Sequence, residues 1–201
     1  MHQLLDVLAS GVHDTKNQLF CAEAHIAETE KKHGIDLSEA RYAIEAAAQR
    51  LSRTLTAYHL LRDGASLAVV PTLAEDLCSE IAIDQQKHLA RAGIVLEVKC
   101  EVRDAWPLDR DLIADVLNNA VQNAGRHARS KIMLHAWNDD TCLHFRVEDD
   151  GSGFADLATR GTGLLVAERI ARLHQRQGKH GSLTLSNNGT LGGAVFELCL
   201  P

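Results

Sequence analysis

Apolar positions in the first third of the chain recur every three or four residues. Leu5, Leu8, Val12, Thr15, Leu19, Ala22 and Ile26 form one series. Ala40, Ile44, Ala47, Leu51, Thr54, Tyr58 and Leu61 form a second. Alternating steps of three and four keep such positions on one stripe of a helix, the heptad pattern of bundle packing. The stretch between them, KKHGIDLSEAR, breaks the pattern. Gly34 suits a helix C-terminus, and Asp36 or Ser38 suits the start of the next helix. A helical hairpin over residues 1–63 is predicted. A lone hairpin buries only one stripe of each helix, so a homodimeric four-helix bundle is its natural completion.

Over RDGASLAVVP (62–71) the pattern changes. Gly64 and Ser66 read as a hinge and LAVV as a short strand, making 64–71 a linker. From residue 72 to 201, helical and alternating segments interleave. Helices are expected over 73–92, 108–127 and about 161–177. Strands are expected at GIVLEVKCEV, KIMLHAW and CLHFRVED, and SLTLSN and AVFELCLP close the chain as a hairpin around NGTLGG. In CLHFRVED, Leu143, Phe145 and Val147 fall on one side and His144, Arg146 and Glu148 on the other. One-sided alternation predicts a two-layer α/β sandwich, its mixed sheet covered by helices on one face.

Composition narrows the function classes. With 201 residues there is room for one medium domain or two small ones. The formal net charge of −6 argues against nucleic acid as a partner. No apolar run reaches the ~18 residues of a membrane helix and no leader opens the chain, so a cytoplasmic protein is expected. Five scattered cysteines without a CxxC pair read as reduced core thiols, and eleven histidines without HxxxH or HExxH spacing give no reason to expect a structural metal.

Three motifs carry chemistry. In LNNAVQNAGRHA (117–128), Asn119 and Asn123 are four apart on one helix face. Their carbonyls are hard oxygen donors suited to Mg2+, and Arg126 and His127 follow a turn later to meet phosphate oxygens. Taken alone, that helix is better explained as a polar face with chance asparagines. In VEDDGSGF (147–154), Asp149 ends a strand before Gly151 and Gly153. A carboxylate there can accept from an exocyclic amine such as that of adenine, and glycines admit a ligand close to the backbone; DDGSG is also plain turn chemistry. In RGTGLLVAERIARLH (160–174), Gly161 and Gly163 open a helix whose free N–H groups make an anion site. A glycine-initiated helix is the plainer reading.

The order and spacing of these motifs are more specific than any one of them. An Asn-x3-Asn helix, DxGxG after a strand and GxG opening a helix resemble the nucleotide-binding domain shared by sensor histidine kinases, gyrase, heat-shock chaperones and mismatch-repair ATPases. The ending GSLTLSNNGTLGGAVFELCLP resembles that domain's ending. With a hairpin carrying HDTKN (13–17) ahead of it, nearly the whole chain resembles a two-component sensor histidine kinase core.

The resemblance implies an ATP- and Mg2+-dependent protein-histidine kinase. His13 would be the phosphoacceptor, Asp14 its acidic neighbour in proton transfer, and Asn17 the polar residue that orients water for dephosphorylating the partner. Asn123 would hold the magnesium, Asn119 lie one turn before it, and Asp149 read adenine. Gly151, Gly153, Gly161 and Gly163 would shape the pocket, with Arg126 at the phosphates. The implied partners are a separate response-regulator receiver domain, which takes the phosphate on an aspartate, and a second copy through the 1–63 hairpin. The signal would arrive from a sensor protein in trans, unless the chain is the catalytic piece of a longer protein.

The departures define the competing readings. Gln18 stands where the family often has a kinking proline, and Leu165 where a third glycine is common. The lid FADLATR is short, as in short-lid kinases and anti-sigma-factor kinases, and Arg160 is its one cation, a candidate ATP contact. The neighbouring ATPases usually carry Glu at position 119. Asn cannot take a proton from water, which favours transfer to a protein nucleophile over hydrolysis. The alternative is a histidine phosphotransfer or scaffold protein with a degenerate nucleotide domain. A third reading is a stand-alone ATPase or a serine kinase of the anti-sigma type.

Overall fold

The computed structural model describes residues 2–61, 66–155 and 161–201. The chain divides into two compact units, Met1–Ala65 and Ser66–Pro201.

The first unit is a helical hairpin, α1 (His2–His33) and α2 (Ser38–Leu61). Gly34, at φ +65°, closes α1 with its N–H on the Glu30 carbonyl, 2.9 Å away. That left-handed backbone is cheap only for glycine. The Asp36 carboxylate then accepts from Ser38 N–H at 2.9 Å and starts α2. Arg41 ties the helices together by reaching Glu23 at 2.6 Å and Glu30 at 3.3 Å. The seam read from spacing is only partly covered within one chain. Leu19, Ala22, Ile26, Ile44, Ala47 and Leu51 are half-buried, but Thr15 and Ala40 are exposed, while Ala46 and Ala48 are buried. Thr15 hydrogen-bonds back to the Gly11 carbonyl, 2.7 Å away.

The second unit is the expected two-layer sandwich. Five strands, β2 (Val95–Cys100), β4 (Lys131–Asn138), β5 (Leu143–Asp149), β8 (Ser182–Asn187) and β9 (Ala194–Leu200), form a sheet in the order β2-β4-β5-β9-β8. β2 runs parallel to β4 and the other pairs are antiparallel, so the sheet is mixed. The helices α3 (Ala74–Arg91), α4 (Arg110–His127) and α5 (Thr162–Leu173) cover one face. Leu77, Ile81, Leu89, Ile113, Leu117 and Ile170 from the helices and Ile132, Leu134, Phe145 and Leu198 from the sheet are fully buried. Alternation delivers this directly, since every second side chain of β4 and β5 points at the helices.

Two small pairs correct the expected elements. The helix expected to start at residue 108 starts at Arg110, because Trp106–Asp109 forms β3 against β1 (Val69–Thr72). Asp109 ends that strand and caps α4, accepting from Leu112 N–H at 3.2 Å. The helix expected to reach 177 stops at Leu173. Gln175–Arg176 (β6) instead pairs with Lys179–His180 (β7) across a two-residue turn. Gln177 (φ 52°) and Gly178 (φ 77°) both take positive φ, the backbone of a type I′ hairpin turn.

Candidate functional site

The C-terminal half of α4, the end of β5 and the start of α5 meet at one edge of the sandwich. Asn119 and Asn123 are both half-buried on α4. Gly163, in the first turn of α5, lies against Asn119: a Cβ on Gly163 would stand 2.8 Å from the Asn119 amide nitrogen. Gly151, just past β5, lies against the end of α4, where a Cβ would stand 2.3 Å from the His127 carbonyl oxygen. These contacts bring the three sequence motifs onto one rim.

Asp149 is buried at the end of β5. Its Oδ1 accepts from Gly151 N–H at 2.8 Å and from Ala194 N–H at 3.2 Å. The carboxylate is thus oriented by backbone on both sides. Gly153 (φ +78°) turns the loop, and a Cβ there would meet the Asn187 side chain at 2.7 Å. Among the described residues, Gly161 at the N-cap of α5 has no side-chain cap hydrogen bond, and the first turn of that helix carries no acid. A helix start with free N–H groups and no acid in its first turn suits an anion.

Arg126 and His127 are exposed at the end of α4. Arg160, with residues 156–159 of the lid, lies outside the described residues, as does Gly64 of the expected hinge. On the hairpin, His13 and Asp14 fall within α1, but their side chains lie outside the described residues; Asn17, a turn on, is exposed.

Several residues that organise the site were missed from the sequence. Asn187, on β8, clamps the glycine loop, accepting from Phe154 N–H at 2.7 Å and donating to Phe154 O at 3.0 Å. Asp150 accepts from Arg129 N–H at 2.7 Å and from the Ser130 hydroxyl at 2.7 Å, tying that loop to the α4–β4 connection. The Ser130 hydroxyl and the backbone donors hold its carboxyl well below the usual range. Gly193 leaves no room for a side chain, since a Cβ would stand 2.3 Å from Asp149 Oδ1. Its double-glycine turn was the available signal. Farther back, buried His174 accepts from Asp109 N–H on Nε2 at 3.0 Å, with Nδ1 2.8 Å from the Ile170 carbonyl. That pattern fixes the neutral tautomer protonated at Nδ1. Burial also lowers the pKa of the ring.

Residues 108–201, from the end of β3 to the last residue, match the family described as histidine kinase-, DNA gyrase B-, and HSP90-like ATPase. The match lies within the C-terminal unit and covers just under half of the chain. The ATPase domain and hairpin together have the fold of a sensor histidine kinase catalytic core. Acinetobacter baumannii histidine kinase AdeS superposes with a TM-score of 0.68 at 16% identity, over 92% of this chain and 95% of its own. That coverage extends beyond the ATPase domain into the hairpin. Full-length ShkA in complex with AMPPNP gives 0.68 at 18% identity, over 98% of this chain and 45% of its own. The cytoplasmic segment of histidine kinase QseC gives 0.60 at 20% identity, over 83% and 96%. No curated protein matches the sequence at a significant level. No helix among the described residues is long and apolar enough to cross a membrane.

Proposed function

We propose that the chain is an ATP-dependent histidine autokinase that phosphorylates His13 and passes the phosphate to an aspartate on a separate response-regulator receiver. The observation that carries the reading is the convergence of Asn119, Gly163, Asp149 and Gly151 on one rim of an ATPase-family domain. Asp149, with Oδ1 committed to backbone, accepts the adenine amine. The first turn of α5, opened by Gly161 and Gly163, takes the phosphates with Arg126, His127 and Arg160. Gly153 shapes the loop beside them.

The donor set fits a hard cation. Asn119 and Asn123 offer neutral amide oxygens, and Mg2+ prefers oxygen and keeps several waters. Asn123 would hold it, and the ion would supply charge neutralisation between phosphate oxygens. Phosphoryl transfer needs mostly alignment and charge, which these residues provide. The neutral imidazole of His13 attacks the terminal phosphorus in line, and the phosphorus–oxygen bond to ADP breaks. Asp14 stabilises the positive ring that develops. Asn119 is no general base, so transfer to His13 outruns hydrolysis. Asn17, a turn beyond His13, orients water for dephosphorylating the regulator.

The hairpin pairs with that of a second copy, completing the bundle that one stripe per helix leaves open. The free cysteines suit a cytoplasmic setting. One observation favours the phosphotransfer-scaffold alternative: Leu165, on α5 where a third glycine is common, is 54% exposed. Incubation with labelled MgATP separates the two readings. The kinase gains acid-labile, alkali-stable phosphate, and Asp149→Asn loses it. A wild-type chain that neither binds ATP nor gains label refutes the kinase and promotes the scaffold.

A further inference from the structure

A cluster of soft ligands lies on the sheet face opposite the helices, far from the nucleotide rim. Cys142 immediately precedes β5, and His144 follows two residues later on the same side of the strand. The β5–β9 register sets Cys199 directly opposite His144. Sulfur and ring-nitrogen ligand atoms of Cys142, His144 and Cys199 all lie within 4.8 Å of one another. Among the described residues, no other group of three His, Cys, Asp or Glu side chains has ligand atoms gathered in this way.

The surroundings are arranged around the histidine. His144 Nδ1 lies 3.3 Å from Glu197 Oε1, and Glu197 is itself held by Arg146 at 2.6 Å. His144 Nε2 lies 3.2 Å from Asp139 Oδ2. Asp139 Oδ1 is already engaged by Thr141 N–H at 2.7 Å and Cys142 N–H at 2.8 Å, so its second oxygen is aimed at the ring. A carboxylate accepting from one ring nitrogen while the other ligates is the usual outer support of a histidine–metal bond. A tetrahedral ion with bonds of about 2.0–2.3 Å needs ligand atoms about 3.3–3.8 Å apart, within reach of small side-chain rotations.

We propose that Cys142, His144 and Cys199 form a binding site for Zn2+ or a similarly thiophilic cation, with Asp139 or water at the fourth position. Two thiolates and an imidazole select against Mg2+, so the site is chemically distinct from the amide-oxygen site on α4. Zn2+ enters, both thiols lose their protons to solvent, and Nε2 of neutral His144 donates its lone pair while Nδ1–H stays on Glu197. No redox change is involved. His144 and Asp149 sit five residues apart on an extended strand, about 16 Å. A cation at the cluster would therefore pin the start of β5 to the end of β9 without touching nucleotide. The proposal does not depend on the kinase reading.

The test uses the full chain, kept reduced with a thiol-free phosphine, and Co2+ followed by Zn2+ as probes. One Co2+ per chain should produce a sulfur-to-cobalt charge-transfer band that Zn2+ abolishes, with release of about two protons near neutral pH. Cys142→Ser and Cys199→Ser should each remove the band. Glu197→Gln, a positioning change, should keep the band but weaken affinity roughly tenfold to a hundredfold. Alkylation mapped by mass spectrometry gives a readout that needs no variant. Zn2+ should protect Cys142 and Cys199 while exposed Cys21 stays reactive. Absence of the band, its persistence in the double serine variant, or equal alkylation of Cys142 and Cys199 with and without Zn2+ would each overturn the proposal.

Discussion

Gly163 and Gly151 differ in what a methyl group would strike, and the difference predicts different failures. At Gly163 a Cβ meets the end of the Asn119 side chain, which can swing away. Gly163→Ala should fold normally but lose roughly tenfold in ATP affinity, because the swing displaces a residue of the face proposed to hold magnesium; nucleotide titration with the folded variant checks this. At Gly151 the methyl meets the His127 carbonyl, which is backbone. Gly151→Ala should cost about 1–3 kcal/mol of stability in urea unfolding. The glycines were legible because their motif spacing is rigid. Asn187 and Asp150 were not. Each acts across a long sequence separation, Asn187 on Phe154 and Asp150 on Ser130, and neither sits in a pattern that marks it.

At the scale of elements, the start of α4 and the end of α5 share one buried histidine. His174 joins Asp109 to Ile170 only as a neutral ring. Burial lowers its folded pKa below the unfolded value of about 6.5, so the unfolded chain takes up the proton first. The stability it contributes is complete above that value and is lost as pH falls below it. His88, by burial and nearby Arg126, and His135, by burial and nearby Lys99, shift in the same direction. The urea midpoint should therefore drop between pH 7 and 5, and His174→Gln should flatten the drop. An unchanged slope in that variant would remove His174 from the explanation. The elements missed from sequence share a cause. β3 is four residues long with a proline inside, and β6 and β7 are two residues each, so none is long enough to establish a period. The helix expected to about residue 177 took HQRQ as its end. The glycine at 178 was the sign of a hairpin turn instead.

The whole molecule joins two units whose patterns are legible to different degrees. The sandwich was clear from alternation, since one sheet face is buried by helices of the same chain. The hairpin seam was clear in spacing but not in coverage. Spacing tells which residues form a stripe and not which neighbour covers it, and Thr15 is exposed in a single chain. If a second copy completes the bundle, sedimentation equilibrium should report a mass twice 22.0 kDa. A monomer at micromolar concentration would contradict that part of the account.

In the proposed function, the rim that gathers Asn119, Gly163, Asp149 and Gly151 feeds His13. The most direct measurement is the identity of the modified residue after reaction with MgATP, mapped by mass spectrometry under alkaline conditions that preserve phosphohistidine. The account predicts phosphate on His13, and none on a His13→Gln chain that still binds ATP. Phosphate on a serine or threonine, or on His13→Gln to the same extent as wild type, would contradict it.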